Sequence, residues 1–136
     1  MNNILKGKVI LITGASSGIG RAMAQFFSKQ GAQLVITGRN EVRLTETLNS
    51  LTSNNHQSLI ADLDSVEGIE GLMDNVFNSV GVLDGLVHCA GIQKTLPLQA
   101  LKEEQYDAIF STNVKSAQFL TKFFRRKGRY NPEGSS

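Results

Sequence analysis

The stretch Thr13-Gly14-Ala15-Ser16-Ser17-Gly18-Ile19-Gly20 decides the fold of this 136-residue chain. It follows an apolar run at residues 9–12 and opens a segment whose apolar residues recur with helical period. A strand, a glycine turn and a helix in that order present backbone N–H groups, and the positive end of a helix dipole, to an anionic phosphate. Glycine lets the backbone approach such a ligand without a Cβ in the way. The stretch therefore predicts a dinucleotide-phosphate loop.

Short apolar strands and amphipathic helices alternate beyond this loop. Strands are predicted at residues 9–12, 34–36, 58–61 and 83–88. Their spacing of about 25 residues leaves room for one helix in each interval, the pattern of a parallel sheet with right-handed crossovers. The pattern also disfavours the alternative that the glycine stretch is only a turn between two core elements. We therefore predict a doubly wound, Rossmann-type α/β fold of about four strands, with residues 1–136 in one domain.

Each predicted helix carries an apolar face at helical spacing. The face of the first helix consists of Ile19, Ala22, Met23, Phe26 and Phe27. The second helix, capped by Asn40, carries Val42, Leu44, Leu48 and Leu51. The third, capped by Asp64 or Ser65, carries Val66, Ile69, Met73, Val76 and Val80. The last, over residues 103–126, carries Tyr106, Phe110, Asn113, Ala117, Leu120 and Phe124.

Asn113 is an amide on the predicted inner face of the last helix. A buried amide must find hydrogen-bond partners or it costs about 1–3 kcal/mol. Two interpretations stay open for it: it satisfies neighbouring backbone groups, or it serves a functional site. A second apolar stripe on the same helix, Ile109, Phe119 and Phe123, indicates a partner for this face, either further chain or another subunit.

Composition and charge exclude several classes of protein. With 40% apolar residues and a net charge of +2, the chain can build a core and has no global excess of either charge. Four basic residues cluster near the C-terminus: Arg125, Arg126, Lys127 and Arg129. We interpret them as the solvated last turn of a helix, where cations favour the dipole, rather than as a nucleic-acid patch. A single cysteine, Cys89, excludes an internal disulfide and fits a reducing compartment. Because no signal peptide or membrane span is present, we expect a soluble cytoplasmic protein that binds neither nucleic acid nor a membrane.

The motif T-G-x-x-x-G-x-G resembles the short-chain dehydrogenase/reductase family, and later residues match the family pattern in order. Arg39 stands at the end of the second strand, where an acidic residue would bind the ribose hydroxyls of NAD. Its guanidinium could instead pair with a 2′-phosphate, and Ser16 and Ser17 could add hydrogen bonds to that phosphate. The resemblance therefore favours NADP over NAD as cofactor.

Three further segments extend the resemblance. Asp62 matches the family aspartate after the third strand, which implies a hydrogen bond to the adenine amine. The segment 88–91 resembles the family's Asn-Asn-Ala-Gly, although only Ala90 and Gly91 match, and its backbone should line the cofactor ribose. In their places, His88 is expected to be a strand-end packing residue and Cys89 a small buried residue. Asn113 matches the helix asparagine that, in the family, helps to hold a water in the proton relay.

The resemblance implies a set of residues that bind a cofactor and none that bind a metal. The predicted cofactor-binding residues are Gly14, Ser16, Ser17, Gly18, Ile19, Gly20, Arg39, Asp62, Leu63, Ala90 and Gly91. Asn113 is the one predicted catalytic residue. The family's chemistry also needs a serine and a Tyr-x-x-x-Lys pair, but Tyr106 is followed at this spacing by Phe110 and Tyr130 by Gly134.

The chain therefore resembles the N-terminal portion of a longer oxidoreductase that moves hydride between NADP(H) and a carbonyl or alcohol substrate. We expect the 136-residue chain alone to turn over little or no substrate. An alternative stays open, a non-catalytic nucleotide-binding fragment or assembly module. The last helix resembles the one through which the family pairs subunits, which leaves a homo-oligomer possible.

Overall fold

A computed structural model describes residues 3–91 and 97–133 of the chain. Within these ranges the strands are β1 (Val9–Thr13), β2 (Gln33–Gly38), β3 (Gln57–Ile60) and β4 (Gly85–His88). The helices are α1 (Gly18–Lys29), α2 (Glu41–Asn49), α3 (Val66–Val80), α4 (Glu103–Phe110) and α5 (Ser116–Phe124). A 3₁₀ turn spans Leu98–Ala100, and a π-helical turn at Ser111–Lys115 joins α4 to α5. In the described part of the chain, no helix has both the length and the apolarity to cross a membrane.

The four strands form one parallel sheet in the order β3-β2-β1-β4. The order reverses between β1 and β4, which is the switch point where ligands bind in open α/β sheets. In register, Thr13 at the end of β1 lies beside Thr37 of β2 and His88 of β4. The doubly wound α/β fold predicted from the sequence is confirmed, and the carboxyl ends of all four strands lie along one edge.

The sheet has a hydrophobic core on each face, because successive strand residues point to opposite sides. Leu11 and Val35 face α3 and α5, whereas Ile12 and Ile36 face α1 and α2. All four side chains are fully buried. This burial accounts for the unbroken apolar runs in the sequence, and it holds the carboxyl ends of β1 and β2 rigidly in place.

The predicted inner face of α1 is wrong at Ile19, Ala22 and Phe26, which are exposed, whereas Met23 and Phe27 are half-buried and Phe27 packs against the core. Ile19 is 74% exposed and Phe26 is 55% exposed, and the buried residues are instead Gly20, Ala24 and Ser28. The cause is the close approach of the helix to the glycine loop: a Cβ on Gly20 would overlap the Gly14 carbonyl oxygen. Only small residues fit at this contact, so the helix turns its smaller side chains inward.

The N-terminal caps of α2 and α3 form as side-chain hydrogen bonds. Asn40 Oδ1 accepts the Arg43 N–H at 3.0 Å, which confirms the predicted cap. Ser65 Oγ accepts the Gly68 N–H at 3.0 Å, so Ser65, and not Asp64, caps α3. The inner face of α3 is as predicted, with Leu72 joining it, whereas Val42 of α2 is exposed and Thr47 takes an inner position.

The predicted continuous helix over residues 103–126 is wrong in its middle. The π-helical turn inserts an extra residue, which shifts the helical phase, so positions before and after it do not share a face. Leu120 and Phe124 are buried as predicted, but Tyr106 and Phe110 are about half exposed and stack on each other at 4.5 Å. Asn113 is exposed, and its predicted burial is therefore also wrong.

The basic cluster at the end of α5 is more than a solvated last turn. Arg126 Nη2 lies 3.0 Å from Glu70 Oε1, and Arg129 Nη2 lies 2.6 Å from Asp74 Oδ1. Two of the four cations therefore form ion pairs with α3. Just beyond, the backbone at Tyr130 forms a parallel bridge with Leu83, beside the start of β4. These contacts hold α5 and the segment after it against the sheet.

Candidate functional site

A cleft of about 600 Å³ opens at the carboxyl edge of the sheet, over the switch point between β1 and β4. Four segments meet there: the glycine loop, the end of β2 with the start of α2, the end of β3, and the turn after β4. The lining residues are Gly14, Ser16, Ser17, Gly18, Ile19, Gly20, Thr37, Gly38, Arg39, Asn40, Arg43, Ala61, Leu63, Asp64, Cys89, Ala90 and Gly91.

The glycine loop has a backbone that only glycine tolerates at two positions. Gly14 has φ +66° and Gly18 has φ +58°, both in the left-handed region. A Cβ on Gly14 would also stand 2.5 Å from the Ala90 nitrogen, so the loop and the turn after β4 are packed backbone against backbone. Gly18 has nothing within 4 Å of an added Cβ, which leaves space on that side of the loop for a ligand.

The start of α1 has no side-chain cap. Ser17 occupies the cap position with extended backbone (φ −162°, ψ 170°), yet its hydroxyl makes no capping hydrogen bond, and the first turn carries no acidic residue. By contrast, α2 and α3 have caps from Asn40 and Ser65. The first N–H groups of a helix have no partner within the helix. At the cleft, these donors and the helix dipole are suited to bind an anion.

Two cations, Arg39 and Arg43, lie in the cleft where β2 leads into α2. Arg39 Nη1 is 3.8 Å from Asp64 Oδ2, with both side chains at least half exposed. An exposed pair of this kind contributes only about 0–1 kcal/mol, so it competes weakly with a stronger anion. The position predicted to select the cofactor is thus positively charged, with one carboxylate close by.

A buried hydroxyl connects α2 to the glycine loop. Thr47 Oγ1 donates to the Ala15 carbonyl oxygen at 2.9 Å and accepts from Arg21 Nε at 2.9 Å. The Ala15 N–H in turn donates to the Thr37 carbonyl oxygen at 3.0 Å. These bonds fix the loop to α1, α2 and β2 together, so its geometry is held before any ligand binds.

The end of β3 contributes Leu63 and Asp64 to the cleft, but not Asp62. The Asp62 carboxylate instead accepts the Asp64 N–H at 3.0 Å, in a turn that leads into α3. Asp62 therefore lies beside the lining residues and shapes this end of the cleft. Sequence analysis placed it directly on the adenine.

The turn after β4 forms the floor of the cleft and is held by Thr13. Its Oγ1 accepts the N–H groups of Cys89 and Ala90 at 3.2 and 3.4 Å and lies 2.6 Å from His88 Nδ1. Cys89 is half-buried in the lining, with its Sγ 3.7 Å from Met23 Sδ. Burial raises the pKa of the Cys89 thiol, which opposes a nucleophilic role.

Asn113 lies at the rim of the same floor. Its Oδ1 would stand 3.0 Å from a Cβ on Gly91, a residue that lines the cleft. The π-helical turn thus brings the predicted catalytic amide to the edge of the cleft, although it does not line it. Across residues 3–91 and 97–133, no three His, Cys, Asp or Glu side chains are grouped so that they could hold a metal ion.

The structure brings together ten of the eleven predicted cofactor-binding residues; the exception is Asp62. Sequence analysis missed seven lining residues: Thr37, Gly38, Asn40, Arg43, Ala61, Asp64 and Cys89. One of them had a signal in the sequence. The predicted Asn40 cap places Arg43 in the first turn of α2, at the same edge of the sheet as Arg39.

This chain belongs to the short chain dehydrogenase family, whose model matches residues 8–131. It is 33% identical over 122 residues to the 3-oxoacyl-[acyl-carrier-protein] reductase FabG of Haemophilus influenzae, covering 90% of this chain and 50% of that protein. It is also 33% identical over 125 residues to the NADPH-dependent pterin aldehyde reductase of Arabidopsis thaliana, covering 90% of this chain and 52% of the relative. The chain spans about half the length of the curated relatives it matches.

Solved structures show the same fold. A short chain dehydrogenase from Shigella flexneri complexed with NADP superposes with a TM-score of 0.84 at 27% identity, over 92% of this chain and 55% of that one. A short chain dehydrogenase from Pseudomonas syringae superposes with a TM-score of 0.81 at 34% identity, over 92% and 53%. Family membership, predicted from the ordered motifs, is thereby confirmed.

Proposed function

We propose that the cleft binds a nicotinamide dinucleotide, with its pyrophosphate at the start of α1. The observation that carries the proposal is the uncapped N-terminus of α1, which faces the cleft behind a glycine loop of left-handed backbone. Donors that no side chain satisfies, together with a helix dipole, favour a negative group at this position. The relative whose structure contains NADP supports the same ligand class.

The remaining lining residues of the cleft are assigned to the other parts of the dinucleotide. In this proposal Ala90 and Gly91 line the ribose near the nicotinamide, and Leu63 packs against the adenine. Arg39 and Arg43 lie where β2 ends, and the chain offers no carboxylate at the position of Arg39 for a ribose 2′-hydroxyl. NADP is therefore the preferred cofactor, with the guanidinium of Arg39 on its 2′-phosphate.

The reaction class follows from the family. The chain supplies the cofactor-binding portion of an oxidoreductase that transfers hydride between NADP(H) and a carbonyl or alcohol substrate. Asn113 lies beside Gly91 at the rim of the cleft. In this proposal it is the one residue of the chain with a catalytic role. Neither Tyr106 nor Tyr130 is followed by a lysine at the family spacing, so we expect the 136-residue chain alone to turn over little or no substrate.

The cofactor proposal is tested by titrating the purified chain with NADPH and with NADH and following nucleotide fluorescence. The unsubstituted chain should bind NADPH more tightly. Arg39→Asp should reverse this preference, because a carboxylate repels the 2′-phosphate and can accept a ribose hydroxyl. Lys127→Asp makes the same charge change at an exposed position outside the cleft lining and should leave the preference intact. Equal affinity ratios in the chain and in Arg39→Asp would exclude Arg39 as the selector.

A second function, a nucleotide-binding or assembly module without catalysis, is favoured by the missing Tyr-x-x-x-Lys pair. Both functions include nucleotide binding. They differ in whether the protein that acts in the cell also contains the Tyr-x-x-x-Lys pair. A reading frame that continues past Ser136 into such a pair would reject the module. Oxidation of NADPH by the purified 136-residue chain with a carbonyl substrate would contradict the proposed inactivity.

A further inference from the structure

His88 makes hydrogen-bond contacts through both ring nitrogens, to two different elements. Its Nδ1 lies 2.6 Å from Thr13 Oγ1 on β1, and its Nε2 lies 3.2 Å from Ser116 Oγ on α5. Thr13 and Ser116 are completely buried, whereas His88 is half-buried. Sequence analysis expected only a packing residue here, yet the imidazole is a polar connection between the sheet and a helix.

The hydrogen-bond donors and acceptors at Thr13 determine which ring nitrogen of His88 carries the proton. A threonine hydroxyl has one proton to donate and two lone pairs with which to accept. Thr13 Oγ1 already accepts the N–H groups of Cys89, which it shares with the Thr13 carbonyl oxygen, and of Ala90, so both lone pairs are in use. Its proton must then point along the short contact to His88 Nδ1, which makes Nδ1 the acceptor. A neutral imidazole consequently carries its proton on Nε2 and donates to Ser116 Oγ.

We propose that His88 is a positioning residue for the nucleotide site: as a neutral imidazole protonated on Nε2, it orients the Thr13 hydroxyl that holds the turn at Cys89 and Ala90, and it fastens this turn to α5 through Ser116. The effect on ligand binding rests on the proposed function. The turn is the floor of the cleft and packs directly against Gly14, so a shift in it moves the glycine loop as well.

Protonation of the His88 ring would disturb the turn after β4. A second proton on the ring would have to enter on Nδ1, facing an oxygen whose lone pairs are both occupied. Thr13 would then have to release one of the two N–H groups of the turn. The Thr13 hydroxyl therefore holds both N–H groups of the turn only while His88 is neutral, and Asn at this position would remove the dependence on protonation.

The groups around the ring do not obscure this titration. Thr13 of β1 and Ser116 of α5 face the imidazole and do not ionise in the working range of pH. Lys115, which precedes Ser116 along the chain, is exposed. Cys89 follows His88 in the turn after β4, and the raised pKa of its thiol keeps it neutral in acid. Burial lowers the pKa of His88 itself, in the direction that favours the neutral ring.

Nuclear magnetic resonance tests the tautomer directly on the 136-residue chain. Long-range ¹H–¹⁵N spectra at neutral pH should show an unprotonated Nδ1 and a protonated Nε2 for His88. On acidification, the backbone amide signals of Cys89 and Ala90 should titrate together with the ring. In His88→Asn these two amide titrations should disappear, while Thr121→Val, which removes an exposed hydroxyl from α5, should retain them.

Nucleotide titrations test the effect on binding. His88→Phe should weaken NADPH binding about tenfold at neutral pH, the equivalent of one lost hydrogen-bond connection. The affinity of the unsubstituted chain should fall in acid more steeply than that of His88→Asn; titration of the nucleotide phosphate is common to both proteins and cancels. A His88 ring protonated on Nδ1, or identical pH profiles for the two proteins, would overturn the inference. Absence of NADPH binding by the unsubstituted chain would instead overturn the proposed function, because the tautomer is measured without ligand.

Discussion

The two glycines inside α3 give a matched pair of substitutions with opposite expected signs. Gly71 is exposed, has ordinary helical backbone, and has nothing within 4 Å of an added Cβ. Alanine at such a position favours the helix by about 1 kcal/mol, because glycine loses more backbone entropy on folding. Gly71→Ala should therefore raise the free energy of unfolding by about 0.5–1 kcal/mol, or a few degrees in Tm.

Gly68 lies one turn earlier in a different environment. A Cβ there would stand 2.8 Å from the Asp62 carbonyl oxygen and 2.9 Å from Ser65 Oγ, closer than real contacts allow. Gly68→Ala gains the same helical preference of about 1 kcal/mol, but it displaces the cap, which costs about 1 kcal/mol, and overpacks the turn at a further cost of about 1 kcal/mol or more. The net result should be a loss of about 1 kcal/mol.

Urea denaturation followed by far-UV circular dichroism measures both variants, with the free energy of unfolding obtained by linear extrapolation. Nucleotide titration adds a second readout. The segment that the new Cβ pushes, residues 62–65, borders the cleft, so NADPH affinity should fall in Gly68→Ala and stay unchanged in Gly71→Ala. Destabilisation by Gly71→Ala would refute the open environment of that position. Stabilisation by Gly68→Ala would refute the position of the Ser65 cap.

Three other predictions concern the cleft and its supports. Asp64→Asn should increase the preference for NADPH over NADH in fluorescence titrations, because it removes the carboxylate that pairs with Arg39. A decreased preference would contradict this. Because burial lowers the pKa of His88, the unfolded chain takes up the proton first, so the stabilising contribution is complete above pH 6.5 and is lost as pH falls from there through the lower pKa of the folded state. Urea titrations of the chain and of His88→Asn should diverge in this way. Thr47→Val should cost about 1–3 kcal/mol, since the buried Ala15 carbonyl oxygen loses its donor and the half-buried Arg21 Nε loses an acceptor, whereas Thr37→Val, whose hydroxyl has no partner among the described residues, should cost nothing measurable.

The fold and most of the cleft were predictable because both follow from short-range patterns. Unbroken apolar runs predict strands buried on both faces, and left-handed backbone at Gly14 and Gly18 restricts those positions to glycine. Asp62, which lies beside the lining residues, differs from the other predicted positions for a local reason. Its carboxylate accepts the Asp64 N–H in a local turn, and a sequence motif alone does not indicate which of the aspartates at 62 and 64 lines the cleft. The His88 connection was also missed, because its partners, Thr13 and Ser116, are remote in sequence.

Besides their separate local causes, the exposed positions on α1 and α4 share one feature. Ile19 and Phe26 on α1, and Tyr106 and Phe110 on α4, were predicted to face inward from their helical spacing, yet all four are about half exposed or more. Hydrophobic periodicity indicates which side chains of a helix are apolar on one face. The exposed fraction of these side chains depends on whether other described residues pack against that face. On α3, where α5 and the sheet pack against this face, periodicity and burial agree. The mismatch on α1 and α4 therefore does not weaken periodicity as evidence. It identifies positions on these helices whose apolar side chains the described residues leave without cover.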